Sequence, residues 1–168
     1  VHTGSKTRPW TGHLAGDNYI AMGNTLDSQA VIDSMAEVLR GTDSLDLDER
    51  LLLSLEAGRE AGGQQAAHPD EQNQDRSASL IIYGQEDYAL MDLRVDFHQS
   101  AIEELRRVRD EYKPYIPLYY ALRVKNPDQA PAQAEWLAIQ QPQDASLSSL
   151  VADNGGDDGH YISVAEYA

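Results

Sequence analysis

Between Met91 and His98 apolar and polar residues alternate: Met91, Leu93, Val95 and Phe97 against Asp92, Arg94, Asp96 and His98. A period of two sends the first set to one sheet face and the second to the other, which predicts a strand. Upstream, Leu80, Ile81, Ile82 and Tyr83 are apolar on both sides of the pleat, the pattern of a strand covered on both faces. The polar G-Q-E-D-Y between the two runs predicts a turn, and the resulting hairpin is the expected centre of a sheet.

Elsewhere the period changes. Val31, Ile32, Met35, Val38 and Leu39 share one helical face between a possible Ser28 cap and Gly41. A second helix is expected from Asp46 or Asp48, whose carboxylates suit a helix N-terminus, through Leu51, Leu52 and Leu55 to Gly62-Gly63. Ile102, Leu105, Val108, Arg109 and Tyr112 form a third stripe behind Ser100, with Glu103, Glu104, Arg106 and Arg107 on its wet side. Pro114 interrupts that helix, and Pro117 permits a restart through Leu118, Tyr119, Tyr120 and Leu122. The tyrosines between 112 and 120 suit either a core or a half-wet partner surface. Ahead of the helices, glycines at 12, 16 and 23 bracket short segments, and G-D-N at 16–18 predicts a turn between two short strands.

These elements outline an α+β fold of one domain over 1–125, with a Pro/Gly/Asp-rich extension over 126–168. The extension is expected to hold a short helix near Glu135–Gln140 and a terminal strand in Y-I-S-V.

Composition narrows the partners. The 28 acidic residues outnumber 13 basic ones, for a net charge of −15, and such a surface repels phosphate backbones, so no nucleic-acid partner is expected. A halophile-like surface, cation binding and ordinary acidity all account for the charge. The absence of cysteine removes disulfides, thiol nucleophiles and cysteine-ligated metals, and leaves a cytoplasmic or a secreted location open. No run approaches the ~18 apolar residues of a membrane span, so no membrane insertion is expected.

Candidate chemistry is sparse. Neither a glycine-rich phosphate or dinucleotide loop nor G-x-S-x-G is present, and no cofactor is expected. His68, Asp70, Glu71 and Asp75, and separately Asp153, Asp157 and Asp158, do not match a calcium loop, and no metal site is assigned. His2, Trp10 and His13 are read either as a metal or substrate cluster or as strand and turn residues; their spacing places no two imidazoles on one ion. On the wet face of the second strand, Arg94 lies within reach of Asp92 and Asp96, with His98 beyond them. A structural ion-pair ladder and a reactive or metal site are the two readings of that set.

The succession H-T-G-S at 2–5, W-T-G-H-L-A-G-D-N-Y at 10–19, E-R-L-L-L-S-L-E-A-G at 49–58, A-G-G at 61–63, R-S-A-S-L at 76–80 and L-R-V-D-F-H at 93–98 resembles an Ntn-hydrolase-like family, domain of unknown function 1028. The resemblance implies a four-layer αββα sandwich and an amide-bond hydrolase, or a non-catalytic descendant of one, acting on a small molecule or peptide. Its plan implies an N-terminal Thr, Ser or Cys whose α-amine serves as base. Val1 carries no such atom, so the nucleophile is expected upstream of the first residue and the catalytic residue stays unassigned. Pocket residues expected on this chain are Arg76, Arg94, Asp96 and His98. The alternative is a structural module that self-associates into a homo-oligomer through sheet edges and the tyrosine-rich surface.

Overall fold

The computed structural model describes residues 2–8, 10–65 and 75–123. It divides into two compact units, Val1–Arg109 and Asp110–Ala168. The expected boundary after residue 125, the helix near Glu135–Gln140 and the Y-I-S-V strand lie outside the described residues.

The chain opens with β1 (Gly12–Ala15) and β2 (Ile20–Gly23), an antiparallel hairpin closed by residues 16–19, as the G-D-N signal predicts. Leu14 and Ala21 face each other across the ladder and turn inward; His13 opposes Met22 on the other face, where Met22 and Ile20 are half exposed. Helix α1 (Gln29–Gly41) covers the inner face, burying Val31, Ile32 and Ala36 against Ala21 and Leu26. Ser28 occupies the N-cap with extended backbone, but its side chain makes no capping hydrogen bond.

Helix α2 (Leu47–Glu60) packs along α1 and against the next sheet. Its buried positions are Asp48, Leu52, Ser54 and Gly58, of which the leucine stripe reveals only Leu52. Each polar or small residue has a local reason. The Ser54 hydroxyl donates to the Met35 carbonyl of α1. A Cβ on Gly58 would lie 2.8 Å from Met35 Cγ, so glycine permits the close approach of the two helices. Beyond the helix, Gly62 (φ +121) and Gly63 (φ +59) reverse the chain, and the Gly63 N–H donates back to the Gly58 carbonyl.

The central hairpin consists of β3 (Ala78–Tyr83) and β4 (Ala89–Val95), antiparallel with a bulge at Ile82/Tyr83. Leu80, Met91, Leu93 and Val95 are buried on one face. Two expectations are corrected here. The first arm is not covered on both faces, because Ile81 and Tyr83 are 48% and 65% exposed. The second strand ends at Val95, where the chain bends, and this leaves Phe97 77% exposed rather than in the core.

Helix α3 (Ala101–Tyr112) begins on a cap supplied from far away in the chain: Asp75 accepts the Ile102 N–H through its carboxylate and the Ala101 N–H through its carbonyl. Arg106, expected on the wet side, is only partly exposed and pairs with Glu49 and Glu56 of α2. Arg109 is 5% exposed and pairs with Asp48 and Glu49. Glu104 and Arg107 form the surface pair expected from their three-residue spacing. In the second unit a short 3₁₀ turn (Lys113–Tyr115) leads to α4 (Ile116–Arg123), consistent with the Pro114 break and Pro117 restart. Tyr119 lies 5.8 Å from Tyr112 and 6.0 Å from Tyr115 between ring centres.

The arginine and carboxylate cluster sets an acid limit. Burial by itself pushes the Glu49 carboxyl up, but hydrogen bonds from Arg109 and Arg106, together with their charges, hold it below its ordinary value of 4.5. A depressed folded-state value adds stability that is fully present above the unfolded value and is lost as pH falls through the folded one. The urea midpoint is therefore expected to fall as pH drops below about 4.5, and Glu49→Gln to flatten that part of the profile. An unchanged slope in the variant would assign the acid loss to other carboxylates.

Candidate functional site

The four residues expected to line a pocket gather at the end of β4, but their side chains do not converge on one another. Arg94 stands opposite Ser79 on the exposed sheet face. Asp96 lies in the bend that follows the strand and is exposed, as is His98. Arg76 is partly buried just ahead of β3, where its carbonyl accepts the His98 N–H at 2.9 Å. The imidazole folds back on the chain, its Nδ1 accepting the Ser100 N–H at 3.1 Å. The expected ladder is absent among the described residues: Arg94 bridges neither Asp92 nor Asp96. Two causes act together. The strand ends before Asp96, which takes that carboxylate off the pleat, and exposed ion pairs gain too little to order long side chains. This corner knits β3, β4 and α3 together through backbone hydrogen bonds.

A second constellation lies at the open end of the β1–β2 hairpin. Thr3 Oγ1 and His13 Nδ1 are 2.9 Å apart and partly buried, a hydroxyl and an imidazole within proton-transfer distance. The bond joins the H-T-G-S and W-T-G-H segments, which are ten residues apart in the chain. His13 is positioned by its register in β1, opposite Met22. Two non-glycine residues with positive φ stand just beyond the ladder, Trp10 (φ 54) and Thr25 (φ 55). For a bulky and a β-branched residue this conformation costs about 1–3 kcal/mol each and must be held by its surroundings. Those surroundings are the Leu26 N–H donating to the Trp10 carbonyl, the Gln65 N–H to the Thr25 carbonyl and the Asp27 N–H to the Gly63 carbonyl. Between Trp10 and the first strand, the buried Thr11 hydroxyl meets no partner among the described residues. Trp10 is half exposed, and His2 is fully at the surface.

The sequence reading weighed His13 and Trp10 together but missed the Thr3–His13 pair. The available signal was that both lie in glycine-punctuated blocks, H-T-G and T-G-H, where the chain turns tightly enough to fold back on itself. Chemically, the pair provides a hydroxyl whose proton the imidazole can accept, the elementary requirement for activating threonine. Among the described residues no group of three or more His, Asp and Glu side chains is placed to hold a metal ion. His68, Asp70 and Glu71 lie outside the described residues, as do Asp153, Asp157 and Asp158; Asp75 caps α3.

Helices laid on one face of antiparallel hairpins, with a strained polar hairpin mouth, define a mixed α+β protein. The chain belongs to a family of unknown function (DUF1028), whose model matches residues 1–105. It is also similar to a protein from Silicibacter pomeroyi of the same family, known from a crystal structure. That match has 27% sequence identity and a TM-score of 0.55, and covers 66% of this chain and 44% of the other. The chain thus spans less than half the length of that relative. Among curated proteins none matches.

Proposed function

We propose that the chain is the core of an Ntn-hydrolase-like protein with the four-layer αββα architecture, an amide-bond hydrolase or a descendant that has kept the scaffold. One observation carries this reading. Both hairpins are covered by helices on one face and leave apolar side chains bare on the other, Ile20 and Met22 on β2, Ile81 and Tyr83 on β3. A helix layer and a sheet layer whose outer face is still apolar are the two layers of such a sandwich, and a second sheet buries that face. The domain then spans 1–125, with 126–168 as an extension. Arg76, Arg94, Asp96 and His98 fall to the rim of the scaffold in this reading, and the hairpin mouth faces the substrate.

The test is N-terminal sequencing and intact-mass analysis of the mature whole protein, before and after an amide-mimicking acylating reagent. A mature chain that opens with Thr, Ser or Cys and takes up one acyl group there is expected. A mature N-terminus lacking any nucleophilic side chain overturns the hydrolase. In that case the bare faces favour the second reading, an assembly module, and Ile81→Lys is expected to dissociate a homo-oligomer in sedimentation.

A further inference from the structure

The loop closing the first hairpin and the end of α1 enclose a cleft with a volume of about 540 Å³, lined on its polar side by Asp17, Asn18, Tyr19, Arg40, Asp43 and Arg50. The charges in it fall into two groups. Arg50 is committed to the protein: one terminal nitrogen donates to the Leu39 carbonyl at 2.8 Å and to Asp43 at 2.6 Å. That pair neutralises itself and braces the segment between α1 and α2.

Arg40 and Asp17 are different. Arg40 is tethered only through Nε, which donates to the Ala36 carbonyl at 3.3 Å, and its two terminal nitrogens meet no acceptor among the described residues. The Asp17 carboxylate meets no cation among the described residues either. A guanidinium and a carboxylate thus line one cleft without forming an ion pair with each other, which leaves a gap between opposite charges. Tyr19 stands beside them with its ring held against Gly16, so closely that a Cβ there would lie 2.2 Å from the ring. Neither its hydroxyl nor the Asn18 amide has a protein partner among the described residues.

We infer that this cleft binds a free α-amino acid, with the ligand carboxylate on the Arg40 fork and its ammonium on Asp17. Three arguments converge. A carboxylate suits the planar pair of guanidinium N–H donors that Arg40 leaves open. An ammonium needs an anion and a hydroxyl oxygen, and Asp17 and Tyr19 offer both. The chain carries a net charge of −15, which repels a simple anion at long range but exerts no net force on a zwitterion. A phosphate dianion is disfavoured further by the Asp17 carboxylate at the same cleft.

The experiment is a ¹H–¹⁵N chemical-shift titration of the chain with L-alanine, with acetate and methylammonium as the two half-ligands. Saturable shifts are expected at the amides of Asp17–Tyr19 and at Arg40 Nε with L-alanine, at concentrations up to about 50 mM, the range in which millimolar affinity saturates. Arg40→Gln and Asp17→Asn, both at exposed positions, are each expected to weaken binding at least about tenfold while leaving resonances elsewhere in place, the loss of one charge-assisted contact. No saturable shift at these residues with L-alanine overturns the inference. So do equal affinities for acetate and L-alanine, which would leave Asp17 without a role, and undiminished binding in either variant.

Discussion

Arg109→Met is expected to destabilise the fold by about 3–5 kcal/mol, the usual cost of removing one partner from a buried ion pair. Arg109 is 5% exposed and Asp48 7%, and the guanidinium also reaches Glu49. With the arginine gone, Asp48 remains in the helix interface with less to offset its lost hydration, and among the described residues Glu49 keeps only Arg106. The measurement is urea unfolding followed by circular dichroism, where a lower midpoint with an unchanged slope reports stability alone. Pairing the change with Asp48→Leu is expected to recover much of the loss, since an apolar replacement removes the buried charge as well. A single variant that costs under about 1 kcal/mol would show that the pair behaves as a surface one.

Leu52→Ala is expected to cost about 2–5 kcal/mol. Leu52 is fully buried on α2, so truncating it leaves a cavity that the surrounding packing closes only in part. Leu52→Met is the control and is expected to cost less than about 1.5 kcal/mol, because volume is conserved. The same urea titration decides between them. Equal losses would mean that side-chain shape rather than cavity volume governs the site.

The parts legible in the sequence were those governed by local rules. Helices α1 and α2 follow from stripes spaced three and four residues apart, and both appear with bounds close to those expected. The G-D-N turn and the two arms of the central hairpin follow from turn chemistry and the period of two. Where local rules failed, a distant partner was usually the cause. Arg106 reads as a wet-face residue from its helix alone, yet Glu49 and Glu56 of α2 draw it into the interface. Ser100 stands directly before α3 and its carbonyl accepts the Glu104 N–H, but the Ala101 and Ile102 N–H groups are satisfied by Asp75, which local pattern does not point to. Phe97 continues the alternation, but the strand ends before it and the alternation loses its meaning.

The candidate sites divide in the same way. Arg94, Asp96 and His98 read as one wet strand face, but the strand ends at Val95, and strand periodicity says nothing about whether side chains, Arg76 among them, meet. The Thr3–His13 pair and the Arg40–Asp17 gap depend on how a loop folds over a hairpin. The sequence by itself determined the order and kind of the elements among the described residues, the acidic net charge and the family. Only the tertiary structure decided which faces are buried and which polar groups come together. Hydrogen bonds within a helix and side-chain alternation along a strand act over a few residues, whereas Asp75–Ile102 and Asp48–Arg109 close over 27 and 61 residues. Contacts at that range exist only once the intervening elements have packed.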